Sequence, residues 1–232
     1  MKITDQHIEQ LYAFTRQHFV EYYDLQTELV DHLANGIERQ WRENPKLTFE
    51  EALQKEFKKF GVFGFMTVVE QRQAALTKKY NGLVWNHFKM FFKTPKIVLS
   101  LIAVLLLKLI LSKVSFAEEL TFALFLGLLL MFFTGLVLSR RKINVRFKSS
   151  GKKWMLEQII YNYGSFAGLT YLPMQLLLRL FNHTDSAYVL WIVSTGIVVM
   201  ALLEYILLVE IPKKSEVYLL ETYPEYKFAN SL

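Results

Sequence analysis

The chain has 232 residues, 53% hydrophobic and 21% charged, with a formal net charge of +6. The absence of cysteine excludes disulfides, thiolate metal sites and cysteine nucleophiles. Nucleic acid is not an expected partner, because the N-terminal part is slightly acidic and the basic excess falls in two clusters beside apolar stretches. Met1 to Lys46 is studded with acidic and polar residues, so no cleavable signal peptide is expected.

The segment before Lys79 reads as four short helices. Ile8, Leu11, Tyr12, Thr15 and Phe19 fall on one face of the first. Leu25, Leu29, Leu33, Ile37 and Trp41 make an apolar stripe on the second, which is expected to stop near Asn44 because Pro45 disfavours helix at the preceding residue. Thr48 and Glu51 form a capping box at the start of the third, whose core face is Phe49, Ala52, Leu53, Phe57 and Phe60, with Gly61 as a left-handed C-cap. The fourth carries Phe65, Met66, Val69, Gln73 and Leu76. Single stripes on successive helices predict a compact bundle over residues 1–80.

Within this bundle, Glu28-Leu29-Val30-Asp31-His32-Leu33, Phe49-Glu50-Glu51-Ala52-Leu53 and Lys59-Phe60-Gly61 resemble the HAAS-type cytoplasmic domain found at the N-terminus of many bacterial membrane proteins. Some of those proteins are associated with PadR-like regulators or fused to permease-type segments. The resemblance spans roughly residues 20–65; the turn Asn44-Pro45-Lys46-Leu47 lacks the glycine often found there. It implies a signalling or partner-docking module rather than an enzyme, with Glu28, Asp31 and His32 as the polar docking candidates. Glu28 and His32 lie one turn apart, a spacing open to a metal ion, but no third ligand accompanies them and a hydrogen-bonding role is the simpler account.

Residues 81–96 interleave aromatic and basic side chains, as expected of a segment lying in a membrane interface. Beyond it, apolar stretches at about 97–114, 120–138, 159–178 and 187–209 each approach the roughly 20 residues that cross about 30 Å of hydrocarbon. Lys89 and Lys93 before the first stretch, and Arg140, Arg141, Lys142, Arg146, Lys148, Lys152 and Lys153 between the second and third, place both basic clusters on the cytoplasmic side. Both termini are then cytoplasmic, in a bacterial inner membrane, and these residues are candidate contacts for anionic lipid headgroups.

Lys108 and Arg179 sit near the outer ends, where long side chains snorkel. Gly164 and Gly168 are spaced for close helix packing, and Asn162 and Glu204 are candidates for an intramembrane polar site. An interfacial acid bonded to a neighbour is the plainer reading of Glu204. The tail, 212–232, is expected to form a short amphipathic helix docking on the N-terminal domain or a partner.

The expected fold is therefore all-α: a small cytoplasmic four-helix domain followed by a four-helix transmembrane bundle. No phosphate-binding glycine loop, nucleophile elbow or metal set stands out, and no cofactor is expected. A regulatory, scaffold or accessory subunit with a protein partner is the leading expectation. A small transporter or channel subunit using the third stretch and Glu204 is the alternative.

Overall fold

The computed structural model describes residues 2–163 and 186–229, and these are helical throughout, with no strand among them. Thr4 opens α1 (Asp5–Gln17) with a capping box to His7. The next helices are α2 (Tyr23–Glu43) and α3 (Phe49–Lys58). At the start of α3 the expected box is present: Thr48 Oγ1 accepts from Glu51 N–H at 3.2 Å, and Glu51 Oε2 accepts from Thr48 N–H at 3.1 Å. Those bonds hold the Glu51 carboxyl below its ordinary range.

The α2 stripe is buried from Leu25 to Trp41, whose indole N–H donates to the Leu47 carbonyl at 2.9 Å. Gly36 lets α3 approach closely, since a Cβ there would stand 2.5 Å from Glu56 Cδ. The Glu56 carboxylate is itself pinned by Gln40 at 2.5 Å and Lys59 at 2.6 Å. Phe19 departs from expectation. Helix α1 ends at Gln17, and Phe19 stands in the turn with φ 64°, its ring in solvent instead of on the core face.

The expected fourth helix and the interfacial segment are one element, α4 (Met66–Met90). Tyr80, Val84 and His87 continue the buried stripe of Leu76 at helical spacing, so the boundary expected near residue 80 falls inside a continuous helix. Trp85, Phe92, Lys89 and Lys93 remain exposed on its other side or just beyond it. Then come α5 (Lys96–Lys113) and α6 (Ala117–Ser150). Arg140 to Lys148, expected in a loop, are the last turns of α6, which stops at Gly151 (φ 64°) with its N–H on the Phe147 carbonyl.

The third expected stretch also begins differently. Ile159, Ile160 and Tyr161 belong to the short α7 (Met155–Tyr161), which is buried among the N-terminal helices. Tyr163 leaves it with φ 62°. Gly164, Gly168 and the remainder of that stretch, with Arg179, lie outside the described residues. Helix α8 (Ala187–Tyr205) runs into a π turn, Ile206–Glu210, and one more turn, Ile211–Lys213. The tail forms α9 (Ser215–Thr222) and a last turn, Tyr226–Ala229.

Two cores result. One joins α1 to α4 with α7, the π turn and α9; the other packs Leu111 of α5, Phe125 of α6 and Leu190, Val193, Ile197 and Met200 of α8. Among the described residues, Ala117–Ser150 and Ala187–Lys213 are long and apolar enough to cross a membrane, each containing an 18-residue stretch with a mean hydropathy of 2.4. Helix α5 is leucine-rich and exposes much of that surface, but its 18 residues include Lys96, Lys108 and Lys113.

Candidate functional site

Two features stand out: a junction that locks the tail to the N-terminal helices, and an apolar surface on two turns between those helices.

At the junction, the backbone of α2 reaches the connector before α7, with Tyr23 N–H donating to the Lys153 carbonyl at 2.7 Å. The first N–H groups of any helix lack intrahelical acceptors. In α7 they are satisfied from elsewhere. Met155 N–H donates to Asp24 Oδ1 at 3.2 Å, and Leu156 N–H donates to the Tyr223 hydroxyl at 3.2 Å. Trp154 fills the space between, with ring centroids of Tyr23, Tyr223 and Tyr226 at 5.3, 5.0 and 5.1 Å. His87 Nε2 meets the Tyr218 hydroxyl at 2.8 Å, Lys79 Nζ donates to Thr222 Oγ1 at 2.7 Å, and Tyr161 and Ser215 share a hydrogen bond of 3.1 Å. The tail helix thus lies on α4 and α7.

Burial pushes the Asp24 carboxyl above its ordinary range, against the opposing pull of Tyr223 and the Met155 N–H. A carboxyl raised on folding contributes most below its unfolded value near pH 4, and that contribution is lost as pH rises through the raised folded value. Asp24→Asn keeps an oxygen acceptor and removes the charge. Its melting temperature at neutral pH should equal or exceed that of the parent, with a flatter pH profile, whereas Asp24→Ala should lose about 1 kcal/mol with the cap. Thermal unfolding across the acid-to-neutral range checks both.

His18 and Phe65 tie the α1–α2 and α3–α4 turns together: His18 lies 4.4 Å from Phe57 and 6.0 Å from Phe65, and Phe60 lies 4.8 Å from Phe65. Over this cluster the turns expose Phe19 (78%), Val62 (99%) and Phe63 (77%), with Met66 beside them. A phenylalanine at positive φ is uncommon and costs about 1 kcal/mol or more, so Phe19 is shown to solvent at some expense. The length of α4, about 37 Å at 1.5 Å per residue, separates this surface from the start of α5.

Of the docking candidates, Glu28, Asp31 and His32 all lie on the exposed side of α2. His32 sets its ring edge-on to Phe60 at 5.6 Å, which brings it to the border of the apolar surface. Glu28 faces Arg72 of α4 at 4.0 Å. No group of three metal-ligating side chains converges among the described residues.

The lipid candidates divide. Arg146 is bonded to Glu157 at 2.7 Å, Lys153 to Glu21 at 2.5 Å, and Lys152 lies over the Tyr23 ring at 4.8 Å, so these three are engaged within the protein. Lys142 is exposed, with its ammonium 5.4 Å from the Tyr161 ring. Lys89, Lys93, Arg140, Arg141 and Lys148 are exposed as well. Asn162 follows α7 and donates to Gln158 at 3.3 Å; it is not bonded to Glu204. Glu204 is 2% exposed, and neither carboxylate oxygen has a hydrogen-bond partner among the described residues.

Sequence reasoning expected the tail to form a short helix docking on the N-terminal domain or a partner, but missed the apolar surface and the contacts through α7 that make the junction. The first had a local signal, an apolar Val62-Phe63 pair bracketed by Gly61 and Gly64 in a turn. The second had none, since Asp24 and Met155 are 131 residues apart. The chain matches no protein-family model, no curated protein and no solved structure.

Proposed function

We propose that this chain is a multi-pass protein of a bacterial inner membrane, with both termini cytoplasmic, whose N-terminal four-helix domain docks a cytoplasmic protein partner. On this reading α5, α6, α8 and the part of the third stretch that follows α7 form the membrane bundle, and the exposed basic residues contact anionic headgroups. The protein acts as a regulatory or scaffold subunit and not as an enzyme.

The observation that carries the reading is the solvent-facing Phe19–Val62–Phe63 surface. Contiguous exposed aromatic and aliphatic side chains mark association sites, and aromatic anchors supply much of the binding energy. Its place at the end of α4 away from α5 favours a partner in solution over a contact with lipid. The resemblance of Glu28 to Gly61 to a cytoplasmic docking module points the same way, and His32 borders the surface.

The test is purification of the cross-linked full chain in mild detergent. Wild-type protein should recover a defined protein, and Phe63→Asp should weaken that capture by about 30-fold or more, the effect of losing a hot spot of 2 kcal/mol. Val145→Asp, on an exposed part of α6, should leave it unchanged. Recovery of the solitary chain, or equal capture by Phe63→Asp, would overturn the reading.

A further inference from the structure

Glu204 continues the buried stripe Val193, Ile197 and Met200 of α8, and Ile206 and Leu207, two and three residues further on, belong to the other core. It therefore stands where the core among α5, α6 and α8 gives way to the core shared with the N-terminal domain. Both oxygens are buried and unpartnered among the described residues. The ionisable groups on the elements packed around this stretch are occupied elsewhere or do not bond to it. Lys96 of α5 lies over the Phe91 ring at 4.7 Å, His87 of α4 bonds Tyr218, and Glu210 accepts from the Tyr205 hydroxyl at 3.2 Å. Tyr163 pairs with Ser139 at 3.0 Å, and Arg140 of α6 makes no ion pair with the acid.

An ionised carboxylate buried without a counter-charge or hydrogen-bond donor among the described residues costs several kcal/mol. A second feature adjoins it. The helix widens into a π turn at Ile206–Glu210, and π turns inside α-helices concentrate at functional sites. Leu208 of that turn packs so closely on Gly135 of α6 that a Cβ there would collide with it.

We propose that Glu204 is a proton-binding site inside the helix bundle, where the carboxyl takes up one proton from water and releases it again. The inference rests on reading α8 as a membrane helix and is independent of the docking surface. A proton is the ligand because hard metal cations require about six oxygen ligands, whereas Met200 and Leu207, the buried neighbours about one turn either side of the acid on its own helix, supply none. Protonated, Glu204 is neutral and fits the apolar stripe. Ionised, it draws water between α6 and α8, and the adjoining π turn carries that separation to Ile206, Leu207 and Ile211, which are packed with α4 and α7. The protonation state of the bundle is in this way transmitted to the junction below the docking domain.

The experiment uses the full chain in phosphatidylcholine–phosphatidylglycerol vesicles, after showing that it stays with the vesicles through an alkaline wash. Release by that wash defeats the membrane reading, and the inference with it, separately from any result on the acid. Infrared spectra should contain a carbonyl band of a protonated carboxylic acid that is absent in Glu204→Gln and fades as pH is raised. Dicyclohexylcarbodiimide adds a carboxyl O–H across one of its C=N bonds and rearranges to a stable N-acylurea. It should therefore label Glu204, less so at high pH, with no protection by sodium or calcium ions. Glu204→Gln, which resembles the neutral acid in shape and charge, should fold and resist labelling. Absence of the infrared difference, or protection by a metal cation, would overturn the proposal.

Discussion

Trp154→Ala is expected to destabilise the full chain by about 3–5 kcal/mol, the cost of deleting a large buried aromatic side chain. Trp154 is 1% exposed and is held by tyrosines from α2 and from the tail, so its removal opens a cavity that no single element can close. Loss of the indole also loosens the cap on α7, since the ring packs on Tyr223, which caps Leu156, and on Tyr23, which precedes the other capping residue Asp24. The variant should therefore melt well below the parent in detergent, and its tail should be cut by protease at lower concentrations. Trp85→Ala, at a 57% exposed position of α4, should leave both properties close to those of the parent. Equal melting of the two variants would mean that the junction contributes little.

Phe65→Ala carries the second large effect, again about 3–5 kcal/mol. Its ring lies edge-on to Phe14 at 6.2 Å, Phe57 at 5.0 Å and Phe60 at 4.8 Å, and it is 1% exposed. It is the side chain that holds the two exposed turns together. Phe63 is two residues away and points the other way, so Phe63→Ala should alter stability by no more than about 0.5 kcal/mol. Equilibrium unfolding of the two variants by urea, read from helix content, should separate them clearly. A similar loss in both would show that the exposed surface is part of the fold, which would remove the ground for assigning it to a partner.

The parts of this structure that were legible in the sequence are those with local causes. The stripe from Leu25 to Trp41 and the box between Thr48 and Glu51 need only the helical period and a side chain three residues from its backbone partner. The chain-long runs of apolar residues in α6 and α8 were equally plain. Boundaries failed where a helix outlasts its obvious pattern. Lys78 and Lys79 look like the end of α4, yet Tyr80, Val84 and His87 keep its buried side going for three more turns. Arg140 to Lys148 read as a loop because of charge, although nothing among them breaks a helix before Gly151. Ile159 to Tyr161 are apolar enough for a membrane stretch; their burial against the N-terminal helices depends on contacts far along the chain. For the candidate sites, Glu28, Asp31 and His32 lie on the exposed side of α2, while the apolar turns beside it were invisible to any search for periodicity.

The shared cap on α7 has a consequence for the order in which the molecule is completed. One of its acceptors, Asp24, leaves the ribosome well before the other, on Tyr223, which emerges only after α5, α6 and α8 have been made. The helices α1 to α3 can associate as soon as they are synthesised, since their contacts with one another are local. The surface they present to α7 stays open until α7 is made, and the cap on α7 stays incomplete until the tail arrives. A chaperone or partner that recognises that open face would therefore bind the nascent protein and be displaced on completion, so closure of the junction serves as a check that everything between Asp24 and Tyr223 has found its place.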